Sequence, residues 1–320
     1  MPITLTRVRR YPVKSCRGED LDTAIVEPWG LRGDRRWMVI DRDAVAVTAR
    51  EVHRMLLARP GLVEPFDVPA GGGLTLSAPD LPGIPDLFVP TPRGGVPDPS
   101  AAADPADPAG VAHPASADTD PGDLVQIWKS TVAAAPGGPE ADAWFSEVLQ
   151  QQVRLVYLDD PTRRATNPEF SRPDDRVTFA DAYPVLLASA NSLDVLNDWI
   201  AEGPRPDEGP LDIRRFRPNL VVRGAAPFAE DGWTRIRIGD ATFRVVKGCD
   251  RCVLTTLDPD TGDKQMEPIT TLARYRRWDG KTWFAANLVP DTPGAVLRVG
   301  DEVEVLEERD GSDGPIRPAA

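Results

Sequence analysis

Lys247-Gly248-Cys249-Asp250-Arg251-Cys252-Val253-Leu254-Thr255-Thr256-Leu257-Asp258-Pro259-Asp260-Thr261-Gly262 sets two cysteines between two apolar runs. Ahead of it, Thr242-Phe243-Arg244-Val245-Val246 alternates β-branched and aromatic residues with the period of a strand. Val253 to Leu257 reads as a second strand, and Asp258 to Gly262 as a turn. The pattern predicts strand, loop, strand, with the thiols beside Arg251 and near Lys247, whose charges favour the thiolate. Structural zinc would need four N or S ligands, but only Cys16, His53 and His113 remain elsewhere, with no second cluster. A thioredoxin-like pair would open a helix, whereas β-rich sequence follows here. Two readings stay open on spacing alone. One is small buried cysteines with no chemical task. The other is one thiolate ligand to a soft or borderline metal held mainly by another group.

Composition narrows the class. The 320 residues suit two modest domains, and 41% hydrophobic residues supply a real core. A net charge of −13 argues against a general nucleic-acid or anionic-membrane surface, but permits a local basic pocket. Three cysteines are too few for a disulfide scaffold, so a reducing, cytoplasmic location is expected. The sequence enters a strand pattern at Ile3, with no signal segment before it and no apolar run long enough to cross a bilayer.

The first half reads as strands: residues 3–9, Ala24 to Glu27, Trp37 to Ile40, 61–63, 74–76, 87–89, Leu124 to Trp128 and Val153 to Leu158. A helix is predicted over Pro139 to Leu149, with acids in its first turn. Between residues 90 and 122 the chain is Pro, Ala, Gly and Asp, too poor in apolar groups to order itself, and reads as a mobile insertion between two strands. His53 and His113 carry no assignment. The expected division is a β domain over 1–160, a second domain over 161–308 and a flexible tail over 309–320.

Three places could hold an anion. Lys14, Ser15 and Arg17 share a glycine-bearing loop, which could equally be a solvated turn. Ser189, Asn191 and Ser192 precede Leu193, Leu196 and Ile200 at helical spacing. That is an N-cap signature, and the backbone N–H groups there also suit an anion. Arg214, Arg215 and Arg217 fall within four positions of an acidic chain, as ion pairs or as a phosphate fork. The second half also predicts strands at 182–188, 220–222 and 283–289, a short helix from Glu267 to Arg276, and a hairpin over 296–306 turning at Gly300-Asp301.

Asp250-Arg251-Cys252-Val253-Leu254-Thr255-Thr256-Leu257-Asp258-Pro259-Asp260-Thr261-Gly262 resembles the cysteine signature of the MOSC domain. The nearest branch is that of the mitochondrial amidoxime-reducing component and its bacterial YcbX-like relatives. Tyr11-Pro12-Val13-Lys14-Ser15-Cys16, Gly30-Leu31-Arg32-Gly33-Asp34-Arg35-Arg36-Trp37 and Phe216-Arg217-Pro218-Asn219 resemble further motifs of that family, in the same order. Trp283 to Val289 resembles a late Phe-Gly-x-Asn-Leu pattern, with Ala285 where glycine is common.

The resemblance implies an α+β, mostly β fold: an N-terminal β domain packed on a C-terminal MOSC β-barrel with flanking helices. It implies that Cys252 ligates molybdenum in a pterin cofactor and carries the catalysis, with Cys249 structural. Cofactor contacts are expected from Lys14, Ser15, Arg35, Ser189, Asn191, Ser192, Arg217, Asn219, Arg251 and Asn287. Lys14, Arg35 and Arg217 are expected to converge on one cavity between the halves. Pyridoxal phosphate binding is associated with the family only at a general level. The implied activity is reduction of N-hydroxylated compounds such as amidoximes and N-hydroxy bases. Electrons would come from a separate ferredoxin, flavoprotein or cytochrome b5-like protein, because no cysteine follows Cys252 to build an iron–sulfur cluster. Animal members are membrane-anchored; here no membrane and no nucleic acid is expected, and a monomer. Asp258 could donate a proton, although a turn-forming aspartate explains it as well. The alternatives are a cofactor or sulfur carrier with a persulfide on Cys252, and a barrel that has lost its ligand.

Overall fold

Strand Ile3–Arg10 buries Leu5 and Val8, and strand Trp233–Ile238 buries Ile236 and Ile238. Alternation commits one face of the second strand to a core, and a register slip between Leu5 and Arg7 keeps Val8 on the same face as Leu5 in the first. The structure, a computed structural model, describes residues 2–65, 72–92, 123–311 and 313–318. Hydrogen bonding runs from Val185–Ser189 through Leu220–Arg223, Ile3–Arg10, Glu302–Glu308, Trp233–Ile238, Ala241–Asp250 and Lys281–Pro290. It returns to the first of these through Val185 opposite Leu288, closing a seven-stranded barrel without a free edge. Leu5, Ile236, Phe243 and Leu288 fill it, each contributing about 1.5–3 kcal/mol over an exposed position. The protein is mostly β, as expected.

The rest of the first half forms a second core. A sheet of Trp37–Ile40, Arg154–Tyr157, Ser130–Pro136 and Asp123–Ile127 lies near a meander of Arg59–Val63, Gly73–Ser77 and Leu87–Pro90. Helix α1, Pro139–Leu149, begins with Pro139 after the positive-φ Gly138. It buries Ala141, Trp144, Phe145 and Val148, the spacing of one helical face. Helix α2, Ala190–Ala201, is capped by Ser189, and the short α3 spans Ile269–Tyr275.

Strand pairing crosses the expected boundary near residue 160. Ile3–Arg10 belongs to the barrel, and Thr23–Glu27 pairs with Val296–Arg298. Three local expectations are corrected. Val253–Thr256 is a 3-10 turn, because Thr255 Oγ1 donates to Cys252 O (2.9 Å) and Thr256 Oγ1 to Val253 O (2.8 Å), closing the backbone on itself. The strands of the expected 296–306 hairpin exist but do not pair with each other: Glu302–Glu308 joins Ile3–Arg10 and Trp233–Ile238 instead. The described part of the expected 309–320 tail is held. Gly248 N donates to Ile316 O (2.9 Å), Arg317 Nη1 to Asp279 (2.8 Å), and Pro315 is buried. A Cβ on Gly248 would meet Pro315 Cβ at 2.5 Å, which accounts for glycine there. From residue 93 onward, the expected 90–122 insertion lies outside the described residues, with His113.

Candidate functional site

Strand Ala241–Asp250 carries the cysteine stretch, and its register slips between Gly248 and Asp250 against Lys281–Pro290. That bulge bends the chain at Cys249, a common device beside sites. Cys252 follows with extended backbone (φ −120°, ψ −179°) and lines an open cleft of about 820 Å³, solvent at its mouth included. Cys249 lines it too, but burial raises its thiol above the usual range and keeps it protonated.

Lys14, Ser15, Arg35, Arg217, Arg251 and Asn287 line the same cleft, so both halves contribute to it. Six cationic side chains and two carboxylates stand on its wall, a local excess of positive charge in an acidic protein. Ser15 (φ 67°), Arg35 (φ 49°) and Arg217 (φ 55°) all hold left-handed backbone. Non-glycine residues rarely adopt it, and such strain gathers at functional sites.

Tyr11 organises the cationic wall. Arg35 Cζ lies 4.7 Å and Arg217 Cζ 4.3 Å from its ring centroid. Arg35 Nη1 donates to Asp34 Oδ2 (2.6 Å) and Asn219 Oδ1 (3.1 Å). The Arg217 side chain donates no hydrogen bond among the described residues, and its Nη2 is buried without a partner. Burial lowers its affinity for a proton, partly offset by Tyr11. Arg251 donates from Nε to Phe284 O (2.8 Å) and from Nη1 to Phe216 O (3.2 Å), leaving Nη2 buried and unpartnered. Thr48 Oγ1 and Tyr183 Oη, on the same wall, are also buried without partners. Buried donors left open in this way favour a polar, anionic ligand.

Lys14 Nζ donates to Phe179 O (2.9 Å) and pairs closely with Asp181. Burial pulls its ammonium down to about 8 against the opposing pull of Asp181. Burial opposes ionisation of Asp181, but Lys14 and Arg50 outweigh it and hold the carboxyl well below the usual range. The loop bearing Asp181 is clamped by buried Arg164, which donates to Thr178 O, Ala180 O and Asp181 O.

The other expected contacts lie off the cleft. Ser189 Oγ accepts from Ser192 N (3.3 Å), Asn191 Oδ1 accepts from Gly224 N (2.9 Å), and Ser192 Oγ bonds Glu230 (2.8 Å). Their polar atoms cap α2 and fix its neighbours, and none of the three lines the cavity. Asn219 is fully buried behind Arg35, and acts on the wall through it. Arg214 grips Asp260 with both terminal nitrogens, and Arg215 holds Thr256 O (3.1 Å) and Gln265 (2.6 Å). The arginine cluster thus divides into two structural members and one open one, Arg217. Asp258 Oδ1 accepts from Asp260 N and Thr261 N as a turn former and is off the cleft. Tyr11, Arg50, Trp128, Asp181 and Tyr183 escaped the sequence reading. Asp181 precedes and Tyr183 lies within the 182–188 strand pattern, and Trp128 ends the 124–128 pattern, so each read as framework.

The sequence matches the MOSC N-terminal beta barrel domain over residues 3–152 and the MOSC domain over residues 174–304. Mitochondrial amidoxime-reducing component 1 of Mus musculus is 31% identical over 95% of this chain and 82% of its own length. The Homo sapiens protein of that name is 31% identical over 95% and 83%. Molybdenum cofactor sulfurase of Solanum lycopersicum is 27% identical over 93% of this chain but 35% of its own length. With both halves matched in order and a barrel closed around the cysteine strand, the chain belongs to the MOSC family, alongside the mitochondrial amidoxime-reducing components.

Proposed function

We propose that the protein is a molybdenum-cofactor-dependent reductase of N-hydroxylated compounds. The observation that carries this reading is the pair of buried guanidinium nitrogens, Arg217 Nη2 and Arg251 Nη2, unpartnered among the described residues and lining one cleft with Cys252. Among the described residues no three His, Cys, Asp or Glu side chains gather as a metal site. One thiolate beside open cationic donors fits a metal that brings its own chelating, phosphate-bearing group better than a bare ion. Cys252 would hold the metal, while Arg217, Arg251, Arg35 and Lys14 would hold the group's anionic and polar parts. The bound cofactor would supply the two-electron redox chemistry.

In the overall reaction an N–O bond breaks and the oxygen leaves as water. The substrate takes up two electrons from a separate electron-transfer protein and two protons from solvent. The chain's own side chains bind, orient and screen the charge. The deciding experiment uses protein made in a cofactor-competent host. Molybdenum is quantified, and benzamidoxime reduction is followed with reduced methyl viologen as donor. Roughly stoichiometric metal and turnover, both lost in Cys252→Ser, are expected; full metal and activity in the variant would overturn the ligand assignment.

The sulfurase relative favours a second reading, a cofactor or sulfur carrier with a persulfide on Cys252. Metal loading without amidoxime turnover, together with a cyanide-releasable sulfur, would select it.

A further inference from the structure

Trp128 stands at the turn between Asp123–Ile127 and Ser130–Pro136, with left-handed backbone (φ 54°), and lines the cleft. It keeps 43% of its surface exposed, although burying an indole is among the larger gains open to a side chain. Its position is fixed. Arg50 Cζ lies 4.4 Å from the ring centroid, and the indole N–H donates to Asp181 Oδ1 at 3.4 Å. Lys14 Nζ also lies over the ring, 5.5 Å from the centroid, and pairs with that same carboxylate oxygen. The exposed part of the indole remains open, and Trp128 lines the same cleft as Cys252, Arg217 and Arg251.

We propose that Trp128 selects flat aromatic and heteroaromatic substrates by stacking, a specificity role that rests on the reductase reading above. Asp181, the nearest carboxylate, is already matched by Lys14 and Arg50. With that carboxylate matched, a cationic substrate finds no counter-charge beside the indole, so the favoured ring is uncharged. Stacking on an aromatic face is sequence-tolerant and depends on ring area, so a planar amidoxime or N-hydroxylated base gains where a small aliphatic one does not.

The test compares benzamidoxime with acetamidoxime on cofactor-loaded wild type, Trp128→Ala and Trp128→Phe, with reduced methyl viologen as donor. The wild type is expected to prefer benzamidoxime in KM. That preference should fall about tenfold in the alanine variant and recover to within about threefold in the phenylalanine variant. An equal rise in KM for both substrates, or a phenylalanine variant no better than alanine, would overturn the proposal. Calorimetric titration of the same proteins with both compounds needs no turnover. If neither compound is reduced, the reductase reading fails, while the ratio of the two affinities still decides the role of Trp128.

Discussion

Asn219 donates from Nδ2 to Asp34 Oδ1 at 3.0 Å, joining the entry to barrel strand Leu220–Arg223 to the loop that carries Arg35. The same amide donates to Arg9 O (3.1 Å) and accepts from Leu186 N (3.1 Å) and Arg35 Nη1 (3.1 Å), all inside the protein. Replacing it by leucine leaves several buried polar groups unsatisfied, each costing about 1–3 kcal/mol. Asn219→Leu is expected to lose roughly 3 kcal/mol or more of stability, read from the urea midpoint at fixed slope. A loss below about 1 kcal/mol would mean the network is dispensable.

Arg217 gives the opposite expectation. Its Nη2 is buried and the side chain makes no hydrogen bond among the described residues, so its removal strands no hydrogen-bond partner. Asparagine tolerates the left-handed backbone of this position. Arg217→Asn is expected to keep or raise the melting temperature while weakening inorganic phosphate binding about tenfold or more in calorimetry. Phosphate affinity within twofold of wild type would remove Arg217 from the anion site.

Lys14 adds a pH dependence. Its folded value of about 8 lies below the ordinary 10.5, so the folded protein gives up this proton first. Between those two values the unfolded chain binds more protons, and the Lys14 contribution to stability rises with pH. Below about 8 the buried ammonium is charged, and its unfavourable burial is fully present. Anion binding runs the other way, since the charged form is lost as pH rises through 8. Phosphate affinity should fall from pH 7 to pH 9 in the wild type, and the fall should be smaller in Lys14→Met. Parallel profiles for the two proteins would exclude Lys14 as the titrating group.

Ala285 holds φ 71° inside strand Lys281–Pro290, next to the Phe284 carbonyl that anchors Arg251. A left-handed alanine costs about 1–2 kcal/mol relative to a residue without a Cβ. Ala285→Gly is therefore expected to stabilise by about 1 kcal/mol, after the entropy glycine adds to the unfolded chain. Ala285→Val should destabilise; a thermal scan of both variants that reversed the order would show the strain to be absent.

Much of the fold was legible because its signals are local. The acids Glu140 and Asp142 in the first turn of Pro139 to Leu149 located α1, and the period-two runs located most barrel strands. Lys14, Ser15, Arg35, Arg217, Arg251, Cys252 and Asn287 were named from motifs, and the fold brings all seven to one cleft. Apart from the local 3-10 turn at Val253–Thr256, failures came where a long-range partner decides. Val296–Arg298 and Glu302–Glu308 resemble a hairpin until Thr23–Glu27 and Ile3–Arg10 claim them. Ser189, Asn191 and Ser192 have anion-binding chemistry, but Gly224 N and Glu230 occupy two of them. Trp128 and Asp181 show nothing in their own neighbourhoods; only the folded chain sets them together.

The docked C-terminal segment ties two distant fates together. Ile316 accepts from Gly248, one residue before the bulge that aims the cysteine strand. Whatever pries this segment loose, a protease nick or a bulky fusion partner, would be felt at the sulfur as lost alignment. Purification tags are therefore better placed at the other end of the polypeptide.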